Sequence, residues 1–412
     1  MTTRVVITGM GTVNPVGQSV QDSWDSLCAG RSGVGPITLF AVDDLPVRIA
    51  AEVKDWAPER FMDAKEARRR DRFQQFASAA AKEALSQAGL LGQVDGGRVA
   101  VVVSSAIGGL ATIELGFRAF IEQGPRKISP FYIPMMMSNG AASLIGIDYG
   151  LRGPSFSVAS ACASGSDAIG LAALLIRSGR ADAAIAGGSE ATITLIGVLP
   201  FDRTGALSRR NEDYSMTPAP FDKNRHGLVM AEGAGILVLE RLEHAQARGA
   251  PILAELIGHG ATADAFHITA PAEHGEGGAE AIRLALADAD LAPADVDYIN
   301  AHGTGTQLND LAETLAIKAA LGGEAYRIPV SSTKSMTGHM MGATGALEAI
   351  VCVQAILTQT LPPTMHYQTP DPACDLDYVP NQARPAKVEV TLSNAFGFGG
   401  HNSVLAIRRF DG

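Results

Sequence analysis

The sequence predicts an α/β protein assembled from two copies of one strand–turn–helix unit. Three observations predict it. The apolar run Val99 to Ser104, and Ala181 to Ala186, apolar but for Asp182, read as strands covered on both faces, and they close in the turns SSAIGGL and GGSEA. The strand–turn–helix around Cys162 has a counterpart around Lys334 to Leu357. The segment GILVLERL (235–242) resembles SVLAIRRF (403–410), and internal similarity of this kind marks a duplicated unit. The two copies are expected to pack face to face.

The bulk numbers agree. A chain of 412 residues exceeds one ordinary domain. His244 to Pro251 reads as the connection, which divides the chain into residues 1–245 and 246–412. Hydrophobic residues at 46% and charged residues at 18% supply a large core and exclude a disordered chain. No unbroken apolar run reaches the roughly 18 residues of a membrane span, so no membrane insertion is expected. The opening MTTRVVITGMG reads as strand and turn and lacks the apolar region of a secretion signal. The four cysteines, Cys28, Cys162, Cys352 and Cys374, show no close-pair metal spacing. They fit a reducing, cytoplasmic setting better than a disulfide framework. A net charge of −10 argues against general nucleic-acid binding and leaves room for a local basic cluster.

Taken in order, Arg4 to Gly11 is a strand and glycine turn, followed by a helix with Trp24 and Leu27 inward. Ala64 to Ala88 is a long helical pattern opening in KEARRRDRF. Its Lys65, Arg68, Arg69, Arg70 and Arg72 read either as a solvated face or as a docking patch for an acidic partner. Arg126 and Lys127 form a second basic pair, before an apolar stretch at Phe131 to Met137 that suits core, interface or pocket wall. Ser155 to Ala159 is a short strand leading to Cys162. In the second half, Asp297 to Ala301, Pro329 to Ser332 and Val388 to Leu392 are strands. They end in HGTGT, TKSMTGHMMGATG and SNAFGFGGHN. Ser403 to Arg408 is the last strand.

Cys162 stands where a helix begins, beside Ala161, Ala163, Ser164 and Gly165, which leave room for a substrate. Unpaired N–H groups at a helix start favour a thiolate, so this position predicts a lowered thiol pKa. A buried, inert cysteine fits the local sequence equally well. Other strand ends distinguish the two. His302, the pair Lys334 and His339, and Phe396 with Phe398 each lie in glycine-rich turns that allow close approach to a ligand. Glu348 is the lone charge in the helix ATGALEAIVCVQAIL. A buried carboxylate needs a cationic partner, and Lys334 is the natural one; the alternative is a narrow polar stripe facing solvent. Asp310, eight residues after His302, caps its helix or orients the same network.

The motifs SACASGSDA, NAHGTGT, SSTKSMTGH, NAFGFGGHN, PFDKNRHGLVMAEGAG and GPRKISPFYIP, in this chain, together resemble those of the β-ketoacyl-acyl-carrier-protein synthases, most closely the elongating type II enzymes. The resemblance runs from residue 3 to about 408 without large gaps. It implies a thiolase-like, duplicated α-β-α-β-α five-layer sandwich, a homodimer, and decarboxylative condensation of a malonyl group with an acyl chain. It implies that Cys162 carries the acyl group as a thioester, with an oxyanion hole from the backbone N–H groups of Cys162 and Phe398. His302 and His339 would hold the malonyl thioester carbonyl, and Lys334, Glu348 and Asp310 would support them. Thr304 and Thr306 match positions that bind the pantetheine arm. Phe398 with Gly399 matches a gating turn, Ile107 and Phe201 the acyl pocket, and Asp264 and His267 a loop that moves with the gate. Lys65, Arg68, Arg69, Arg126 and Lys127 match the landing site for acyl-carrier protein. No resident cofactor or metal is implied, because 4'-phosphopantetheine arrives on the carrier.

Four neighbouring readings compete. A polyketide or specialised-lipid ketosynthase would share every catalytic residue. A thiolase would need a second cysteine where this chain has Phe-Gly-Phe-Gly-Gly-His, and an initiating synthase an asparagine where it has His339. A non-catalytic chain-length subunit would lack the cysteine.

Overall fold

The computed structural model describes residues 3–412. Ten strands form one continuous sheet. They are β1 (Val5–Val13), β2 (Val99–Ser104), β3 (Ser155–Phe156), β4 (Ala183–Ala191) and β5 (Glu232–Arg241) in the first half. The second half supplies β6 (Ala254–Ala263), β7 (Tyr298–Asn300), β8 (Val330–Ser331), β9 (Val390–Gly397) and β10 (His401–Arg408). Their order is β3-β2-β4-β5-β1-β6-β10-β9-β7-β8. Each half therefore repeats the other, and β1 to β5 correspond one by one to β6 to β10. The pairing senses repeat as well. β2 runs parallel to β3 and β4, as β7 does to β8 and β9, and the remaining neighbours within each half are antiparallel. The similar segments 235–242 and 403–410 fall in the corresponding strands β5 and β10.

The halves meet in two ways. Their sheets join edge to edge through a short seam, Val6 opposite Glu255 and Ile7 opposite Ala254. They also share the helices between them. Helix α1 (Arg72–Ala88), with α3 (Gly140–Tyr149), covers the outer face of the first half-sheet. The exposed helix α2 (Leu110–Gln123) lies beside them. Helices α4 (Ser164–Arg177) and α7 (Thr344–Thr358) pack on each other and on strands of both halves. Helices α5 (Glu276–Asp288) and α6 (Gln307–Leu321) cover the far face. The result is five layers, helix–sheet–helix–sheet–helix, the thiolase-like sandwich.

The middle layer explains the composition of α7, in which every residue from Thr344 to Ile356 is buried. The stretch Met341–Thr358 is long and apolar enough to cross a membrane, but 89% of it is buried inside the protein. The helical pattern at residues 64–88 is broken in two. A short turn, Ala64–Ala67, ends at Arg68, and α1 starts afresh from Asp71, whose side chain caps it in a box with Gln74. The break turns two arginines inward. Arg70 grips Asp148 at 2.6 Å and Arg72 grips Glu232 at 2.6 Å. Lys65, Arg68 and Arg69 remain toward solvent.

One face of the first half carries apolar side chains in the open. On α2, Leu115, Phe117, Phe120 and Ile121 are exposed, and Phe131, Ile133 and Met137 continue the patch. The stretch Phe131 to Met137 is thus neither core nor cavity wall. The short strand β3 is an edge of the sheet, paired on one side by β2.

Candidate active site

Cys162 sits in a single tight turn, Ala161–Ala163, that leads into α4. Ala161 has φ +51°, a left-handed conformation that a residue with a Cβ adopts only when its surroundings hold it. The surroundings here are the turn after β9. A Cβ at Gly397 would lie 2.8 Å from Ser160 O and 2.9 Å from Cys162 N, so glycine lets the two turns touch. Touching brings the Phe398 N–H near the Cys162 sulfur, where it and Cys162's own N–H favour the thiolate.

These donors do not lower the thiol pKa below its ordinary value. Burial pushes Cys162 up to about 11, outweighing Lys334 and both N–H groups. The expectation of a depressed thiol pKa is corrected on this point. The helix start is present, but the sulfur beside it has lost its water.

His302 follows β7 and His339 follows β8. The backbone N–H groups of His302 and Gly303 each donate to the Glu313 carboxylate at 2.7 Å, and Asn394 Nδ2 donates to it at 3.1 Å. Glu313 on α6 thus fixes the first turn. The His339 N–H donates to Val229 O at 2.8 Å. Its ring lies between two partners, with Nδ1 3.0 Å from Thr344 Oγ1 and Nε2 3.0 Å from Cys162 Sγ. The two imidazoles meet edge to face with centroids 5.3 Å apart. The sulfur and one nitrogen from each ring all lie within 4.8 Å of one another.

Both histidines are held well below their ordinary pKa, by burial first and then by Lys334. They are uncharged at neutral pH. Lys334 Nζ donates to Glu348 Oε1 at 2.6 Å, and both side chains are 1% exposed. Burial pushes the Glu348 carboxyl up and Lys334 pulls it back. One sulfur and two nitrogens at this spacing could also hold a thiophilic metal ion. The Lys334 ammonium, which already disfavours positive charge on both rings, opposes a cation there.

A cavity of about 440 Å³ opens onto these three side chains. Thr304 and Thr306 line it, and so do Phe201 and Phe398, whose rings stack with centroids 6.1 Å apart. Asp264 also lines it, tied to the turn after β9 through Asn402 Nδ2 at 2.7 Å and Gly400 O at 2.9 Å. Gly399, at φ +83°, stands just outside the cavity, with its N–H on Ile268 O at 2.8 Å.

Other expected residues lie elsewhere. Asp310 does not cap α6, because Thr306 does so. Its carboxylate instead accepts from Phe221 N at 2.8 Å and Gly305 N at 3.2 Å, holding the histidine turn from behind. Ile107 is 37% exposed and lines no part of the cavity. His267 is exposed and caps its own loop, its Nδ1 accepting from Thr269 N and Ala270 N at 3.1 Å. Arg69 lies over the Phe131 ring at 4.7 Å, which links the basic turn at residues 65–69 to the segment that follows Arg126 and Lys127.

Sequence reasoning missed Glu313, Thr344 and Glu190. Glu190 on β4 is buried and accepts from Ser105 Oγ at 2.6 Å, Ala106 N at 2.8 Å and Gly342 N at 3.1 Å. It ties the turn after β2 to the turn that carries His339. The signal for Glu313 was its place three residues after Asp310, on the same face of a helix with an apolar stripe.

The comparisons agree with this geometry. A family profile described as the β-ketoacyl synthase N-terminal domain matches residues 2–245, and one described as the C-terminal domain matches residues 253–368. The chain belongs to the β-ketoacyl synthase family. It is 49% identical over 408 residues to a 3-oxoacyl-[acyl-carrier-protein] synthase 2 of Synechocystis sp., covering 99% of this chain and 98% of that one. It is 48% identical over 407 residues to the protein of the same name from Coxiella burnetii, covering 98% of each chain. Among solved structures, a β-ketoacyl synthase from Burkholderia phymatum superposes with a TM-score of 0.92 at 38% identity, covering 99% of this chain and 100% of that one. A type II polyketide ketosynthase solved in complex with its acyl-carrier protein gives a TM-score of 0.92 at 36% identity, covering 100% of both.

If Lys334 helps keep the imidazoles uncharged, Lys334→Ala raises the pKa of both. Histidine ring resonances followed by NMR should show His302 and His339 failing to titrate near pH 6.5 in the natural protein and shifting upward in the variant. Unchanged titration would remove Lys334 from that role.

Proposed function

We propose that the protein is a 3-oxoacyl-acyl-carrier-protein synthase of the second type. It lengthens an acyl chain by two carbons through decarboxylative condensation with malonyl-acyl-carrier protein. The convergence of one sulfur and two uncharged imidazoles on a single cavity carries the reading. Full-length similarity to relatives of that name supports it.

In the first half-reaction Cys162 Sγ attacks the acyl thioester carbon and the pantetheine thiol leaves. Burial keeps the Cys162 thiol protonated at neutral pH, so a base must take its proton. His339 Nε2, at 3.0 Å, is placed to do so. The proton leaves on the pantetheine sulfur, and the imidazole is neutral again. Negative charge on the carbonyl oxygen meets the N–H groups of Cys162 and Phe398.

In the second half-reaction the malonyl thioester oxygen accepts N–H from His302 and His339. Loss of CO₂ leaves an enolate, and the two donors stabilise its oxygen. The enolate carbon attacks the acyl-Cys162 carbonyl; a C–C bond forms, the C–S bond breaks, and the departing thiolate takes a proton from solvent to restore the resting thiol. His339 Nε2 accepts in one half and donates in the other. The Thr344 hydroxyl on Nδ1 can accept or donate by rotating, so it serves both tautomers. Lys334, paired with Glu348, and Asp310 behind the turn act by position and charge. Thr304 and Thr306 receive the pantetheine arm, and the Phe398–Gly399 turn with Phe201 gates the cavity. No cofactor is resident in this scheme.

Two copies form the working enzyme in this reading. The exposed apolar face around α2 and the open edge at β3 suit a symmetric partner. Ile107 fits the same picture. Its turn packs on residues 135–138 at the rim of that face, where the second copy would sit. Four free cysteines, three of them buried, suit a cytoplasmic setting.

An elongation assay with malonyl-carrier protein and acyl donors, products resolved by mass, tests the activity. The expected product is a 3-oxoacyl chain two carbons longer. Cys162→Ala should lose condensation by about 1,000-fold or more, and retained condensation would defeat the reading. Charge reversal at Arg68 and Arg69 tests the landing site. KM for carrier-bound acyl groups should rise well beyond that for acyl-coenzyme A, whereas equal effects would count against docking there. Sedimentation at micromolar concentration should give a dimer; a monomer would contradict the shared interface.

A further inference from the structure

One polar chain runs from the nucleophile turn away from the cavity. Ser160, two residues before Cys162, donates its hydroxyl to Asp167 Oδ2 on α4. Asp167 Oδ1 lies 3.4 Å from His259 Nε2 on β6, and that nitrogen is 3.1 Å from Ser403 Oγ on β10. The His259 ring lies against α4 at Gly170, where a Cβ would come within 2.3 Å of Nδ1. Its far side faces a separate surface cleft, lined also by Arg177 and Asp288. Those two are paired with each other at 2.8 Å, and the His259 backbone N–H donates to Asp288 at 3.0 Å. Burial pushes the Asp167 carboxyl up, but His259, Ser160 and Ser403 together hold it below its ordinary value.

None of Ser160, Asp167 and His259 lines the catalytic cavity. What the chain reaches is the turn. Ser160 begins it, Ala161 holds φ +51° within it, and Cys162 completes it. Inside the turn, Ser164 Oγ accepts from Ser160 N at 3.0 Å and donates to Ala161 O at 2.7 Å. From outside, the Ser160 side chain is anchored by Asp167. A strained turn keeps its shape only while such anchors hold.

We propose that Asp167 and His259 are positioning residues for acyl transfer: they hold the Ser160 hydroxyl and so keep the Cys162 sulfur beneath the Phe398 and Cys162 N–H groups. The inference rests on the synthase reading above. It separates the two half-reactions. Malonyl decarboxylation uses His302 and His339, whose turns hang on Glu313 and Val229 and not on this chain. Asp167 and His259 should therefore matter for loading Cys162 and not for decarboxylation.

The test uses Asp167→Asn, His259→Phe, Ser160→Ala and the double variant Asp167→Asn/Ser160→Ala. Acyl transfer to Cys162 is read by mass in a single turnover. Decarboxylation of malonyl-carrier protein is read without an acyl donor. Asp167→Asn and Ser160→Ala should each load about tenfold more slowly, the scale of one lost charge-assisted hydrogen bond, and His259→Phe, which removes only a 3.4 Å contact with Asp167, about threefold more slowly, all with decarboxylation unchanged. The double variant should be no slower than the slower single, because both changes remove one interaction. Unchanged loading, equal loss in both half-reactions, or additive losses would overturn the proposal. If Asp167→Asn does not fold, Ser160→Ala, which removes a single hydroxyl, decides. If the natural protein accepts no acyl group at all, the synthase reading fails separately. Iodoacetamide alkylation of Cys162 then judges the turn, with about fivefold slowing in the variants expected and no change contradicting it.

Discussion

Backbone lies on backbone where α4 and α7 cross between the two half-sheets. A Cβ at Gly188 would stand 2.5 Å from Gly342 O, and one at Gly165 would stand 2.8 Å from the same oxygen. On the strand side, a Cβ at Gly235 would stand 2.6 Å from Leu347 N. Side chains at these places would hold the helices apart and separate the turns at their starts. Because the layers close, Cys162 at the start of α4 and His339 just before α7 come within 3.0 Å although 177 residues separate them. The spacing of sulfur and imidazole is thus a product of the packing of duplicated halves. No local sequence could create it.

That close packing also sets the electrostatics. Excluding water raises the thiol from 9.0 to about 11, a cost of about 3 kcal/mol against the thiolate. The helix start and Lys334 offset burial only in part. The same burial keeps both imidazoles neutral, so one can take a proton and both can donate N–H to an oxygen. One cation, Lys334, serves the sulfur and both rings, and Glu348 keeps that cation in a buried place where it would otherwise be costly.

Much of this was legible in the residues. The repeated strand–turn–helix pattern and the likeness of 235–242 to 403–410 foretold a duplication that appears strand for strand in the sheet order. The lone charge in the α7 sequence pointed to a buried pair, and the partner is Lys334. The glycine-rich ends after three strands located His302, His339 and Phe398, which line one cavity. What stayed illegible depends on tertiary surroundings. The direction of the thiol shift reflects desolvation, which no helix-start rule contains. Glu313 and Glu190 look like ordinary acidic residues until the backbone N–H groups they satisfy are in place. The basic run at residues 65–72 overstated the open charge, because Arg70 and Arg72 turn inward to Asp148 and Glu232.

The central claim is that acyl transfer passes through one sulfur. Brief mixing with an acyl donor in the absence of malonyl groups, acid quenching and peptide mass mapping would locate the covalent intermediate. The account predicts a single acyl adduct, on the peptide that contains Cys162. An adduct on Cys28, Cys352, Cys374 or a serine, or a competent enzyme that never carries one, would contradict it.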